Sequence, residues 1–551
     1  MGAVEKGMVN LLQLENRTWN MRPFQPPGQM MFTIPIYNTS FVALTIDIIS
    51  NSITGLTHCL MNIINHSGMF QFSIKPTIEE FRAEHKTFNY EKMKWGPWQT
   101  PRNLFLALIG ELGELSVDIA ANEDFANPRD CSEDEETDSN TADNIENESS
   151  KVDEVLSELI DVLSYVICLA DECQVDIAVP DSQRNDKSTS TFSNATWNEI
   201  EVTAFYQTVM ISENTTIMKD FLNLCFSASK LKDTFQWGVI ERNLDNISMD
   251  KQQIVDKLIK QVFCHVVVIA SKYEYDLPKL LKEKNVRIAE KYSQSIGRLT
   301  KDDVIKSRYS DLPSFQYVSN CDDSNSNTSS EKNEITGCIY LLDRAVGDLK
   351  ISEEQLLCKL VQSIGLIAEI FQWDTDGTET DFSPAKHAHL CKQLSTIMDV
   401  VRTLAQFHKI SLAKSFTVKM QKNRTKYPLS TCRGTFMKYD ENVEKVPNVP
   451  GADSDVEHPL YPAVSTVSDA ALAMKLFVEE RDWQKYHKNP RNLTLALFGE
   501  IGEVIELFIT KRNDKFDQCL GDELSDCLAY CVRLASCCNV DLSAAMSHYF
   551  P

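Results

Sequence analysis

The stretch PRNLFLALIGELGEL, residues 101–115, returns as PRNLTLALFGEIGEV at residues 490–504, with eleven of fifteen positions identical. A repeat separated by most of the chain constrains the fold strongly, because both copies must form the same element and bury the same face. In each copy the apolar residues recur at three- and four-residue steps, which predicts a helix. That register sets Glu111 and Glu114 one turn apart on one face, and Glu500 and Glu503 likewise.

The likeness extends beyond this helix. The approaches EKMKWGPWQTPRNL and EERDWQKYHKNPRNL place Trp95 and Trp483 in corresponding positions, and a second acidic helix follows in LSELIDVLSYVICLADECQVDIA and GDELSDCLAYCVRLASCCNVDLS. Here Glu158 and Asp161 correspond to Glu523 and Asp526, with Tyr165 and Tyr530 four residues after each Asp. Two antiparallel helices that each turn such a pair inward gather four carboxylates, an unfavourable concentration of charge unless a hard divalent cation joins them. Mg²⁺ suits the role, since it accepts carboxylates while keeping waters and bridging to phosphates. A lone ExxE is commonly a solvated helix face; two such helices, each matched to an ExxD helix within an apolar pattern, point to metal.

Composition bounds the class. At 551 residues, with about 150 residues per domain, the chain has room for three or four units. Its formal charge of −24 disfavours nucleic acid and anionic lipid as partners. Part of that charge lies in residues 123–154, a Ser/Asn-rich acidic run that reads as a solvated loop. The sixteen cysteines show no CxxC pairs at metal spacing and read as buried reduced thiols. The N-terminus lacks a secretory pattern, and the apolar segment 40–64 is interrupted by Asp47, Asn51, Thr54 and His58, so no membrane span is expected. A cytoplasmic protein is the expectation, with nucleus or mitochondrion also open.

With FSIKPTIEEFRAEH ahead of the first copy, these motifs resemble the dCTP pyrophosphatases, all-α, MazG-like nucleoside triphosphate pyrophosphohydrolases marked by ExxE and then ExxD. The resemblance covers about residues 72–180 and 468–551. Between them, KDTFQWG at 232–238 and AEIFQWDTDG at 368–377 resemble the ELFQW stretch of that family. Counting back from Trp237 and Trp373, the ExxE positions fall on Ser227 and Lys230, and on Ser363 and Leu366; the ExxD positions fall on Leu258 and Gln261, and on Gln393 and Thr396. These middle units lack the ligands but keep the family's Lys, Asn and Tyr-Pro at spacings of four: fully in Lys419, Asn423, Tyr427 and Pro428, and partly in Lys284 and Tyr292, with Ile288 in place of Asn. The fourth unit reaches Pro551 before that position.

The expected fold is therefore all-α: unassigned residues 1–71, intact units at 72–190 and 468–551, and degenerate units at 195–300 and 335–430. Because the family's enzymes are homotetramers, the resemblance implies an intrachain pseudo-tetramer, in a chain that is monomeric or at most dimeric. It implies Mg²⁺ at Glu111, Glu114, Glu158 and Asp161, and at Glu500, Glu503, Glu523 and Asp526, with hydrolysis of dCTP or a modified dCTP to the monophosphate and diphosphate. His85, Trp95, Trp237, Trp373 and Trp483 are the expected base contacts, Tyr165 and Tyr530 the sugar contacts, and Lys419, Asn423 and Tyr427 the phosphate-side contacts. Met474 stands near the fourth unit's counterpart of His85. The same chemistry on dUTP or another non-standard deoxynucleotide, and a non-catalytic nucleotide-binding or scaffold role, remain open on sequence alone.

Overall fold

Eleven principal helices account for most of the described chain: α1 (Pro101–Ala121), α2 (Thr141–Glu172), α3 (Ile217–Ser229), α4 (Met249–Lys272), α5 (Glu353–Phe371), α6 (Pro384–Phe407), α7 (Leu412–Lys426), α8 (Val467–Glu480), α9 (Pro490–Ile509), α10 (Phe516–Cys537) and α11 (Leu542–Tyr549). The structure is a computed structural model that describes residues 22–23, 29–36, 40–47, 82–83, 86–92, 95–121, 141–175, 177, 215–236, 249–273, 277, 280–281, 284, 340–344, 351–373, 383–434, 464–510 and 512–551. From residue 82 onward these are helices, turns and one isolated bridge, Leu341–Thr466, in keeping with the expected helical class.

Local chemistry fixes where the helices start. Asn489 accepts a hydrogen bond from the Arg491 amide and Pro490 opens α9, a residue whose fixed φ suits the first helical position and whose missing N–H costs nothing there. Ser352 with Gln355, and Thr466 with Asp469, form reciprocal capping boxes ahead of α5 and α8. Helix ends are equally specified. Gln174, Lys409 and Asn539 adopt left-handed backbone angles after α2, α6 and α10, and the next residue's amide reaches back to Ala170, Ala405 and Ala535, each at 2.8 Å. This is the Schellman geometry, closed by an apolar residue, Val175, Ile410 or Val540.

The core is built from four helix pairs, α1 with α2, α3 with α4, α5 with α6, and α9 with α10. The first helices of the pairs pack on one another, α1 on α5, α3 on α9, α5 on α9 and α1 on α3, while α2 meets α4 and α6 meets α10. Glycine allows the closest crossing. A Cβ on Gly113 would lie 2.9 Å from the Gly365 Cα, and one on Gly365 would lie 2.7 Å from the Gly113 Cα and 2.9 Å from the Ile109 carbonyl oxygen. At the α3–α9 crossing, Ser229 faces Gly502 in the same register: Gly113 and Gly502 are the same position of the repeat, and Gly365 and Ser229 each stand two residues after the counted first ExxE position.

The two PRN motifs contact each other. Arg102 donates to the Asn492 side chain and to the Gln236 carbonyl, and Arg491 donates to the Asn103 side chain, with all four motif residues buried. The exchange is reciprocal, the mark of a two-fold contact between equal surfaces. At the positions counted back from Trp237 and Trp373, Ser227 and Ser363 are buried, Lys230 pairs with Glu506 at 3.3 Å, and Thr396 donates to the Lys392 carbonyl.

Two features depart from the sequence expectations. Residues 141–154, read as part of an acidic loop, belong to α2, which is continuous to Glu172. Once the buried part of a helix is nucleated, each added residue needs only propagation, and a polar segment follows. Residues 22–47, left unassigned, contain strands Arg22–Pro23, Gln29–Ile36 and Ser40–Asp47 in an antiparallel sheet whose last two strands pair from Gln29–Asp47 to Ile36–Ser40. The β-branched and aromatic content of the last two strands is an ordinary strand signal. No helix among the described residues is long and apolar enough to cross a membrane.

The glycine crossing gives a direct test. Gly365→Ala brings a methyl against backbone atoms that cannot rotate away, so it should lower unfolding stability by about 1–3 kcal/mol, the usual cost of overpacking. An unchanged denaturation midpoint would show that α1 and α5 are not this close.

Candidate metal centre

The first acidic cluster stands where α1 faces α2. Glu111, Glu114 and Glu158 each present a ligand oxygen within 4.8 Å of the others. Asp161 is ion-paired with Lys284, which comes from the segment after α4. Glu369 of α5 lies over the backbone at Gly110, where its Cγ would be 3.1 Å from an added Cβ. Burial, then repulsion from Asp161, Glu114, Glu158 and Glu369, drives the Glu111 carboxyl well above its ordinary range. Glu158 is pushed up to about 8 by burial and by Glu114 and Asp161, with Lys284 opposing the rise. Its Oε2 is buried without a hydrogen-bond partner. A buried, unsatisfied carboxylate oxygen amid other carboxylates is the environment that a hard divalent cation relieves, and the all-oxygen donor set fits one.

The second cluster repeats the pattern between α9 and α10. Glu500, Glu523 and Asp526 offer oxygens within 4.8 Å of one another, and Glu503 lies one turn from Glu500. Lys419 of α7 reaches Asp526 at 2.6 Å. Lys232, from the short helix Lys232–Phe235 after α3, lies 3.2 Å from Glu500 and 3.0 Å from Glu503. Burial raises Glu500 to about 7 against the pull of Lys232, and Glu523 to about 7 against Lys419. Asp526 is also raised by burial, which Lys419 opposes. Glu503 goes the other way: burial acts to raise it, but Lys232, Lys230 and Lys419 together hold it below its ordinary value.

The family resemblance singles out Lys284 and Lys419, though not their pairing with the aspartates. Lys284 and Lys419 occupy the same place after their second helices, and each reaches the ExxD aspartate of a neighbouring pair. Lys232 and Glu369 were missed. They flank the aligned FQW stretches in KDTFQW and AEIFQW but belong to no charge motif, so only the packing of α3 on α9 and α5 on α1 brings them to the clusters.

The remaining expected contacts are placed unevenly. Trp483 is 5% exposed, donates its indole N–H to the Cys432 carbonyl at 2.9 Å, and meets Tyr427 and Phe477 edge-on, so it is a core side chain with no face to offer a base. Trp95 and Trp373 are half-buried, and Tyr165 and Tyr530 pack partly buried against the core. Burial, then the charges of Glu500 and Asp526, raise the Tyr530 hydroxyl well above its ordinary value. Asn423 and Tyr427 lie half-buried at the end of α7, where the Tyr427 amide donates to the Asn423 carbonyl. Met474 is buried. His85, Trp237 and Tyr292 lie outside the described residues. No disulfide joins the described cysteines.

The raised Glu158 carboxyl predicts a pH signature. An unfolded glutamate ionises near 4.5 whereas Glu158 keeps its proton to about 8, so its contribution to stability falls as pH rises through that window and is fully unfavourable above it. Without divalent cation, Glu158→Gln should be about 1–2 kcal/mol more stable than the parent above pH 8, after allowance for a half-buried site, with the advantage disappearing toward pH 4.5. Denaturation across pH checks this; an advantage that grows toward acid would reverse the assignment.

No family model matches the chain, and no solved structure does. Among curated proteins it is similar to dCTP pyrophosphatase 1 of Rattus norvegicus and of Mus musculus, each 43% identical over 90 residues, and to that of Homo sapiens at 42%. The matched stretch is 15% of this chain and 52% of each relative, so the chain spans about half the length of the curated proteins it matches. A part of this helical chain is thus similar to the dCTP pyrophosphatases.

Proposed function

We propose that the chain is a Mg²⁺-dependent nucleoside triphosphate pyrophosphohydrolase, acting on dCTP or a modified dCTP, in which four family-like helical units assemble within one polypeptide. The observation that carries this reading is the crossing of lysines between units: Lys284 to Asp161 and Lys419 to Asp526, each from a unit without carboxylate ligands to one that has them. Isolated decayed copies would have no reason to keep a lysine at this spacing. The reciprocal Arg–Asn contacts and the equivalent glycine crossings support the pseudo-tetramer, since a symmetric assembly contacts itself through equal surfaces.

Glu111, Glu114, Glu158 and Asp161 would hold the metal, and the second cluster presents the same ligand types in Glu500, Glu503, Glu523 and Asp526. When bound, Mg²⁺ supplies neutralisation of the triphosphate and polarisation at the α–β anhydride. The carboxylates around it orient the attacking water, and one of them accepts its proton. Lys284 and Lys419 hold ammonium groups at the cluster edges, placed for phosphate oxygens. Tyr165 and Tyr530 stand four residues beyond the ExxD aspartates as sugar contacts, and the half-buried Trp95 and Trp373 are the candidates for a base face.

Diphosphate release from a panel of deoxynucleoside triphosphates, with and without Mg²⁺, tests the reading. We expect release that requires Mg²⁺, is fastest with dCTP, and is abolished in the variant combining Glu111→Gln, Glu158→Gln, Glu500→Gln and Glu523→Gln. Fastest release from dUTP would move the substrate and keep the chemistry, whereas no release from any nucleotide would favour a binding or scaffold role. Lys419→Ala should slow turnover roughly tenfold while preserving helical circular dichroism, the loss expected for one charged hydrogen bond of about 1.5 kcal/mol. Light scattering should show a monomer or dimer of the 62.6 kDa chain, since the bundle is already closed. A stable tetramer of chains would contradict the internal assembly.

A further inference from the structure

Among the neighbours of the two acidic clusters, those over the equivalent glycines differ in charge sign. Where α5 passes over Gly110 in the first cluster, it brings Glu369, a further carboxylate. At the equivalent Gly499 in the second cluster, the neighbour is Lys232, whose Cδ would lie 1.7 Å from an added Cβ. Gly499 therefore leaves the channel through which the lysine stem runs. The ammonium ends 3.2 Å from Glu500 and 3.0 Å from Glu503, with the lysine and Glu500 side chains 12% and 11% exposed.

We propose that Lys232 is a resident cation of the second cluster, so that the chain binds a divalent cation tightly at Glu111, Glu114, Glu158 and Asp161 and only weakly at Glu500, Glu503, Glu523 and Asp526. The inference rests on the metal-centre reading above and goes beyond it by making the two sites unequal. A metal entering the second cluster must expel a buried ammonium from between two carboxylates, and it recovers only part of what that ion pair already supplies. At the first cluster, Glu369 adds to the repulsion that a cation relieves. Lys284 and Lys419 do not create the inequality, because each meets the aspartate of its own cluster in the same way. The first site is thus the one that takes the metal-dependent chemistry of the reading above.

The test is titration of the full-length, nucleotide-free chain with Mn²⁺, followed by electron paramagnetic resonance of free Mn²⁺. We expect one tight equivalent in the parent, lost in the Glu111→Gln, Glu158→Gln variant and kept in the Glu500→Gln, Glu523→Gln variant. Lys232→Gln should add a second equivalent bound at least tenfold more tightly than in the parent. Two equally tight equivalents in the parent, or a Lys232→Gln protein with one, would overturn the inference while leaving the metal reading intact. No tight Mn²⁺ in any variant would overturn both. Should Lys232→Gln fail to fold, the two carboxylate variants decide the matter, because loss of the tight equivalent with Glu500 and Glu523 excludes the proposal.

Discussion

The described helical core is arranged around the electrostatic cost of collecting carboxylates inside it. A buried carboxylate beside others either keeps its proton, finds a cation, or forces the helices apart. The chain uses the first two solutions. Glu111 and Glu158 rise well above the ordinary range, while Asp161, Asp526, Glu500 and Glu503 take lysines. None of those lysines is on the same helix pair as the carboxylate it meets. A helix pair with an intact cluster is therefore electrostatically incomplete alone, and the pairs that lack ligands supply what it is missing. This gives a physical role to the helices α3 to α7, which carry no ExxE or ExxD of their own.

Backbone approach enforces the arrangement. Glu369 and Lys232 reach the clusters only because α5 and α3 lie close to α1 and α9, and that closeness depends on Gly113, Gly365 and Gly502 and on the small Ser229. The buried PRN residues then lock the first and last units through Arg102 with Asn492 and Arg491 with Asn103. Each arginine donates to carbonyl or amide oxygens at this contact. The repeated PRNL stretch thus contributes a helix start and an interface, and the ExxE carboxylates follow it on the same helix.

Much of this was legible in the chain because it lies in periodicity and spacing. The carboxylates on α1, α2, α9 and α10 are local patterns, whereas Lys284 and Lys419 stand out only through the family resemblance, and the structure brings three carboxylates of each cluster together. What was not legible depends on contacts between distant segments. The sign difference between Glu369 and Lys232 is invisible without the crossing helices, as is the mutual pairing of PRN motifs. Trp483 looked like the counterpart of Trp95 because both precede PRNL, yet Cys432, Tyr427 and Phe477 from elsewhere in the chain close over it. The hairpin at residues 29–47 and the extension of α2 back to Thr141 were missed for the opposite reason: their signals are local but were outweighed by apolar length in one case and acidity in the other.

A single-chain assembly has a freedom that a homotetramer lacks. When identical subunits pack, every cluster must receive the same neighbours, so a residue such as Lys232 would appear at every site or at none. Here the residue over Gly110 and the residue over Gly499 are encoded separately and have become a carboxylate and an ammonium. The first increases the demand for an external cation and the second removes much of it. On the four-unit reading proposed above, two clusters built from nearly the same helix can thus differ in the charge they need without changing a single ligand, since their neighbours differ.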